Sequence, residues 1–216
     1  MLQRSWPSSP SAASTSKSDP HPVIDLDALR SGPLADVRDD APITDAATVF
    51  EGKVFDVNRE TARFGPGTIV REYSAHHGAV AVLAIDDADR VLLINQYRHP
   101  VRTRLWEIPA GLLDVEGEDP LTAAKRELAE ETDLVADDWS APLSFFTSPG
   151  QSDEQVTLFE ARGLHAAPQV HDRTDEEAQI VVRWVSLDEA LDAAFSGRIG
   201  NAILLIALLA HAHRRR

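Results

Sequence analysis

Two runs of almost unbroken apolar residues lie near the middle of the chain. Positions 79–85 and 91–97 are separated by a short polar segment, Asp86-Asp87-Ala88-Asp89. Strands that are buried on both faces carry apolar side chains at consecutive positions, so these runs predict two central strands joined by a polar turn. Further strand-like segments lie at 143–147, 155–161 and 179–185. The pattern predicts a sheet with the two apolar runs at its centre.

A smaller β unit is predicted before this sheet. Residues 49–64 have the composition of one or two strands, Gly65-Pro66-Gly67 that of a hairpin turn, and 68–74 that of a return strand. The first 34 residues are rich in proline and serine and show no periodicity, which predicts a disordered segment. We therefore expect a disordered or extended tail at 1–42, a small antiparallel β domain at 43–75 and a main domain at 76–213.

Three segments have helical patterns. Asp119 is a good N-cap and Pro120 a good first helical residue, so a helix is predicted over 121–132. Three apolar residues at helical spacing mark the face that should turn to the core: Leu121, Ala124 and Leu128. Two further helices are predicted near the end of the chain, at 187–195 and 199–213.

The composition excludes several classes of protein. The chain has no cysteine, which leaves no disulfide framework or thiolate metal site and is typical of a reducing cytoplasm. A net charge of −14 disfavours nucleic-acid binding. No apolar run approaches the roughly 20 residues of a membrane-spanning helix, and no apolar secretory segment follows the first residues. We expect a cytoplasmic protein without nucleic-acid or membrane partners, in which a divalent cation offsets the acidic charge at any phosphate substrate.

The predicted helix 121–132 carries a cluster of acidic residues. Glu127 and Glu131 lie one turn apart, and Glu130 lies beside them. Carboxylates at this density suit a hard cation such as Mg²⁺ or Mn²⁺. The spacing alone favours a solvated helix face that includes Lys125 and Arg126 over a metal site.

The surrounding segment resembles the Nudix box. Its matching positions are Gly111, Glu118, Arg126, Glu127, Leu128, Glu130, Glu131 and Leu134. The segment departs from the family pattern twice: six residues instead of five separate Gly111 from Glu118, and Asp133 stands where the family has glycine. Neither change removes a carboxylate. We expect the first to bulge a loop and the second to place an aspartate in the left-handed conformation at a helix end.

Two flanking segments resemble the ADP-ribose pyrophosphatases of this family. They are Asn95 to Arg98 with Leu105 to Gly111, and Phe146 to Glu154. The resemblance implies the Nudix fold, an α/β/α sandwich with a mixed β-sheet, here preceded by the small antiparallel β domain and the tail. It also implies Mg²⁺-dependent hydrolysis of ADP-ribose to AMP and ribose 5-phosphate, with Mn²⁺ as an alternative ion.

The family's site residues can be carried over by position. The resemblance implies metal ligation by Glu127, Glu130, Glu131 and the main-chain carbonyl of Ala110. Arg126 would orient a glutamate. The base that activates water lies on a loop before the last strand in this subfamily, which implies Glu177, with Glu176 as the second choice. An acidic, solvated loop is the alternative interpretation of that segment.

Substrate contacts follow from the same resemblance. Arg98 matches an arginine that meets a phosphate, and Glu107 a residue that contacts or positions the ribose. Relatives form homodimers in which the N-terminal β unit reaches the partner's site, which implies roles for Arg71 at the phosphate and Phe55 at the adenine. A core position for Phe55 remains an alternative. Two other functions stay open: hydrolysis of another nucleoside diphosphate derivative, such as a nucleotide sugar or oxidised nucleotide, and ADP-ribose sensing without catalysis.

Overall fold

The computed structural model describes residues 26–169 and 179–215. The first part contains α1 (Leu26–Ser31), β1 (Ile43–Phe50), β2 (Asp56–Phe64), β3 (Gly67–Ala75), β4 (Ala79–Ala84), β5 (Arg90–Arg98), β6 (Thr103–Glu107) and β7 (Ala110–Leu112). These are followed by α2 (Pro120–Thr132), β8 (Leu134–Trp139), β9 (Leu143–Phe146), β10 (Gln155–Ala166), β11 (Val181–Ser186), α3 (Leu187–Phe195) and α4 (Ala202–Arg214). Within the described ranges, no helix is long and apolar enough to cross a membrane.

These residues fall into two compact units. The smaller unit contains 26–47 and Arg59–Arg71, and the larger contains Thr48–Asn58 with 72–169 and 179–215. Strands β1, β2 and β3 pair in that order as a three-stranded sheet. The predicted hairpin turn at Gly65-Pro66-Gly67 joins β2 to β3.

A short helix, α1 at Leu26–Ser31, lies within the segment that was predicted as a disordered or extended tail. Arg30 pairs with Asp27 three residues earlier, and the Ser31 hydroxyl donates to the Asp27 carbonyl at 3.1 Å. Such local pairs help to support a short helix.

The larger unit is a sandwich of helices and sheets. Successive side chains of β4 point to opposite faces of the sheet, and each face packs against a different layer of helices. Val80, Val82 and Ala84 pack with buried residues of α2, whereas Ala81 and Leu83 pack with buried residues of α3 and α4. Strand β4 is buried on both faces because helices cover it from both sides. This confirms the α/β/α arrangement and explains why the strand is a continuous apolar run.

The strands form a mixed arrangement between these helices. One sheet has the order β7-β4-β10-β8, with β9 also paired to β10, and a second has the order β11-β5-β6. Strands β4 and β10 are parallel, with Leu158 opposite Ala81, whereas the other pairs of both sheets are antiparallel. The predicted mixed character is therefore confirmed in the first of these sheets. The two apolar runs were expected at the centre of one sheet, but the deeply buried strands β4 and β5 that they form lie in different sheets.

Candidate active site

Helix α2 presents the acidic residues, and both of its ends are held by local contacts. The Asp119 carboxylate accepts hydrogen bonds from the Leu121 and Thr122 amides at 3.0 and 3.2 Å. Its bonds from Thr122 keep the pKa of this carboxyl below its usual value. At the other end Asp133 adopts the left-handed conformation, with φ 56° and ψ 32°, and its amide donates to Ala129. This is the conformation expected where the family has glycine.

Arg126 is the centre of a carboxylate cluster. Its Nη1 lies 2.6 Å from Glu127 Oε1 and 3.1 Å from Glu130 Oε2. Its Nε and Nη2 donate to the two oxygens of Glu118 at 3.3 and 3.0 Å. The hydrogen bond to Glu118, with the charge of Glu127, raises the pKa of Arg126 despite its partial burial. The guanidinium therefore stays charged and holds three glutamates in fixed directions.

The Glu127 carboxylate rests directly against the backbone of Gly111. A Cβ atom added at Gly111 would lie 2.0 Å from the carboxyl carbon of Glu127 and 2.1 Å from its Oε1. Only a residue without a side chain fits this position while Glu127 keeps its place. The box glycine and the box glutamate are therefore linked by a steric requirement, which the spacing in the sequence does not show.

Glu131 lies apart from the contacts of Arg126. Its Oε2 accepts a hydrogen bond from the Ala110 amide at 3.0 Å, and the residue is only 8% exposed. The structure thus brings together two residues that the sequence analysis assigned to one metal site. It joins them through the amide of Ala110, while the predicted role of the Ala110 carbonyl stays a prediction.

The burial of these glutamates argues against a merely solvated helix face. The side chains of Glu118 and Glu127 are 10% and 13% exposed, and that of Glu130 is 41% exposed. Lys125 does not balance them, because its ammonium lies 5.9 Å from the centre of the Trp139 ring. Three glutamates therefore contact one guanidinium, and a fourth, Glu131, lies on the same helix and binds the Ala110 amide instead. Clustered carboxylates in a largely buried setting call for additional positive charge.

A divalent cation fits this donor set by its chemistry, because carboxylate oxygens are the ligands that Mg²⁺ and Mn²⁺ prefer. Among residues 26–169 and 179–215, no three histidine, aspartate or glutamate side chains form a ready-made metal cage. Three of the four carboxylates are engaged by Arg126 instead. Glu127, Glu130 and Glu131 are the predicted ligands, and Glu118 is a fourth carboxylate beside them.

The role of Glu118 was not assigned from the sequence, although the residue matches the box. It precedes the helix and lies eight positions before Arg126, so helical spacing does not place it in the cluster. The match of Glu118 to the family pattern was the one feature of the sequence that pointed to a role for this residue. The predicted base Glu177, and the second choice Glu176, lie outside the described residues.

Arg98 and Glu107 form an ion pair with two parallel hydrogen bonds. Arg98 Nε donates to Glu107 Oε1 at 3.0 Å, and Nη2 donates to Oε2 at 2.8 Å. The Glu107 side chain is 4% exposed, while that of Arg98 is 44% exposed. The structure brings these two predicted substrate contacts together and leaves mainly the arginine accessible.

The two remaining predicted contacts lie on the surface of their own units. Arg71, in the smaller unit, is exposed, and its Nη1 donates to the Val70 carbonyl at 2.8 Å. Phe55, in the larger unit, is 48% exposed, so it is not part of that unit's core. Their predicted roles at a substrate stay predictions.

Comparisons with known proteins match these observations. The family model for the NUDIX domain matches residues 75–205. The ADP-ribose pyrophosphatase of Mycobacterium tuberculosis is 41% identical over 166 residues, which cover 76% of this chain and 79% of that protein. The ADP-ribose pyrophosphatase of Bacillus subtilis is 37% identical over 155 residues, which cover 71% of this chain and 83% of that protein.

The fold has a counterpart among solved structures. A crystal structure described as an ADP compounds hydrolase superposes with a TM-score of 0.68 and 21% sequence identity. The match covers 83% of this chain and 96% of that chain, and at this identity it supports the fold alone. With the carboxylate cluster, the NUDIX match and the identity to two curated relatives, the chain belongs to the Nudix family of pyrophosphohydrolases.

Proposed function

We propose that this protein hydrolyses the diphosphate bond of ADP-ribose to AMP and ribose 5-phosphate and that it requires Mg²⁺, with Mn²⁺ as an alternative ion. The observation that carries the proposal is the set of three glutamates held by Arg126, together with the largely buried Glu131 on α2. Two relatives that cover most of the chain are named for activity on ADP-ribose, which supports this substrate.

Glu127, Glu130 and Glu131 would hold the metal, and the Ala110 carbonyl would join them. The cation would neutralise charge on the diphosphate oxygens and act as a Lewis acid during the displacement. Arg126 fixes Glu127 and Glu130 through charge-assisted hydrogen bonds at 2.6 and 3.1 Å. Gly111 provides the space for the Glu127 carboxylate. We propose Glu177 as the base that removes a proton from the attacking water, with Glu176 as the second choice.

For the substrate, Arg98 would contact a phosphate through its exposed guanidinium. A charged, half-exposed arginine suits a diphosphate because its planar N–H groups match phosphate oxygens. We further propose a homodimer in which Arg71 of one protomer contacts a phosphate and Phe55 stacks on the adenine at the partner's site. An aromatic ring that is already exposed loses little by stacking on a base.

The remaining proposals concern the cellular setting. The substrate is a small nucleoside diphosphate derivative, and a net charge of −14 opposes the binding of nucleic acid. The absence of cysteine suits the reducing environment of the cytoplasm, which is our proposed location.

The test is a comparison of kcat/KM for ADP-ribose, nucleotide sugars and oxidised nucleotides at saturating Mg²⁺. We expect ADP-ribose to have the highest value and to yield AMP and ribose 5-phosphate. A sugar nucleotide that exceeds ADP-ribose would refute the proposed substrate. Binding of ADP-ribose by calorimetry without release of AMP would indicate a sensing protein and would refute the proposed hydrolysis.

A further inference from the structure

We propose that Glu107 is a positioning residue that holds the guanidinium of Arg98 and does not itself contact the substrate. This inference rests on the proposed function, in which Arg98 binds a phosphate. It changes the sequence-based prediction that Glu107 contacts or positions the ribose. Specificity at this end of the site would then depend on one buried ion pair instead of two independent contacts.

The first argument is geometric. The two hydrogen bonds, at 3.0 and 2.8 Å, use both carboxylate oxygens of Glu107. A carboxylate engaged in this way by a guanidinium fixes the plane of that group, because the two N–H vectors are rigidly parallel. The orientation of Arg98 is therefore set by Glu107.

The second argument is the difference in burial. With 4% of its side chain exposed, Glu107 offers almost no surface to a ligand that arrives from solvent, whereas Arg98 is 44% exposed. The buried carboxylate of Glu107 therefore supports and orients the half-exposed guanidinium of Arg98.

The third argument is the location of the pair. Residue 94, and not Arg98, lies opposite Glu107 in the pairing of β5 with β6. The Arg98 side chain must therefore extend back along β5 to reach the end of β6. Glu107 lies three residues before Ala110, whose amide binds Glu131. The ion pair thus places the guanidinium beside the segment that leads into the carboxylate cluster.

Charge and orientation make opposite predictions for Glu107→Gln. The variant removes a carboxylate that offsets the positive charge of Arg98, so attraction to the anionic substrate is retained or increased. It also replaces one acceptor by an amide donor that faces the guanidinium, so the orientation of Arg98 is lost. We therefore expect kcat to fall about 10- to 100-fold, while KM stays the same or decreases.

The decisive experiment is a double-mutant cycle with Arg98→Ala, Glu107→Gln and the double variant, measured on the diphosphate substrate that the wild type cleaves best. Arg98→Ala should raise KM and should also lower the melting temperature, because it leaves a buried carboxylate unpaired. The double variant should regain much of that melting temperature, because neither charge remains. Its kcat/KM should nevertheless stay within about twofold of Arg98→Ala, because Glu107 acts only through Arg98.

Arg90 with Asp86 offers a matched control at the other end of β5. In this pair Nε and Nη2 of Arg90 both lie 2.7 Å from one oxygen, Oδ2 of Asp86, and the Arg90 and Asp86 side chains are 50% and 17% exposed. Arg90→Ala should leave kcat/KM unchanged. Independent losses that multiply in the double variant would overturn the positioning role. So would a Glu107→Gln variant that raises KM without changing kcat. Failure of the wild type to cleave ADP-ribose would refute only the proposed substrate, because the cycle can be measured on any diphosphate that the enzyme cleaves.

Discussion

At position 111 the absence of a side chain leaves room for the carboxylate of Glu127. A Cβ atom at this position would lie 2.0 Å from the carboxyl carbon of Glu127, which is far too close for two atoms that are not bonded. The group that must move is the end of a flexible glutamate, and Gly111 does not have a positive φ. The backbone can therefore accept alanine, and the strain falls on the position of Glu127.

This gives a prediction for Gly111→Ala. We expect kcat to fall about 100-fold, because the displaced Glu127 can no longer take part in the site. The free energy of unfolding should change by only about 1 kcal/mol. Enzyme assays and thermal denaturation measure the two effects. Gly200→Ala is the control, because a Cβ at Gly200 meets nothing within 4 Å. Activity close to wild type in Gly111→Ala would show that the contact with Glu127 is not required.

Individual side-chain contacts are the part of the site that could not be predicted from the sequence. The identities and helical spacing of Glu127, Glu130 and Glu131 indicated a hard-cation site. They did not show that Arg126 would bind Glu118, Glu127 and Glu130, since a rotamer choice decides which carboxylates an arginine reaches. The burial of Glu107 beneath Arg98 was likewise not visible, because it depends on the pairing of two strands.

Among the elements, α2 was predicted almost to its observed bounds. Asp119 caps its first turn and Pro120 opens it, and both signals are local in the sequence. Strands β7 and β8 were not predicted as strands. Strand β7 has three residues and β8 contains two consecutive aspartates, so their pairing with longer neighbours, and not their own hydrophobic pattern, decides their conformation.

The end of α2 leads to a prediction for Asp133→Gly. Asp133 has a φ of 56°, which costs roughly 1 kcal/mol for a residue with a side chain and almost nothing for glycine. The melting temperature should rise by about 2–4 °C. The melting temperature of Asp133→Asn should rise by less, because asparagine tolerates the left-handed conformation only slightly better than aspartate does. A lower melting temperature in calorimetry for Asp133→Gly would mean that contacts of the aspartate side chain outweigh its backbone strain.

At the scale of the whole molecule, the larger unit is an α/β/α sandwich, and the chain is strongly negative. The fold class followed from the resemblance of the box and its flanking segments, while the two apolar runs predicted buried strands. Strand β4 is buried along its whole length, which explains why its apolar run predicted a buried strand. The division into two units could not be predicted in the same detail, because Thr48–Asn58, which contains the end of β1 and the start of β2, is grouped with the larger unit.

Because the net charge of the protein is −14, a divalent cation is important for the binding of an anionic substrate. A diphosphate brings further negative charge to a site where three glutamates share one arginine and a fourth, Glu131, binds a backbone amide. Without a divalent cation, repulsion should prevent productive binding of the substrate. The central claim is therefore that the glutamates of α2 and a divalent cation act together on a diphosphate.

The most direct test of that claim is kcat for ADP-ribose hydrolysis by Glu131→Gln at saturating Mg²⁺. A glutamine oxygen can still accept the hydrogen bond from the Ala110 amide, so the fold and melting temperature should be retained. We predict that kcat falls by at least about 100-fold, while Glu189→Gln on α3, as the control, keeps wild-type activity. A Glu131→Gln enzyme with near-normal kcat would contradict the assignment of this residue and of the cluster as the active site.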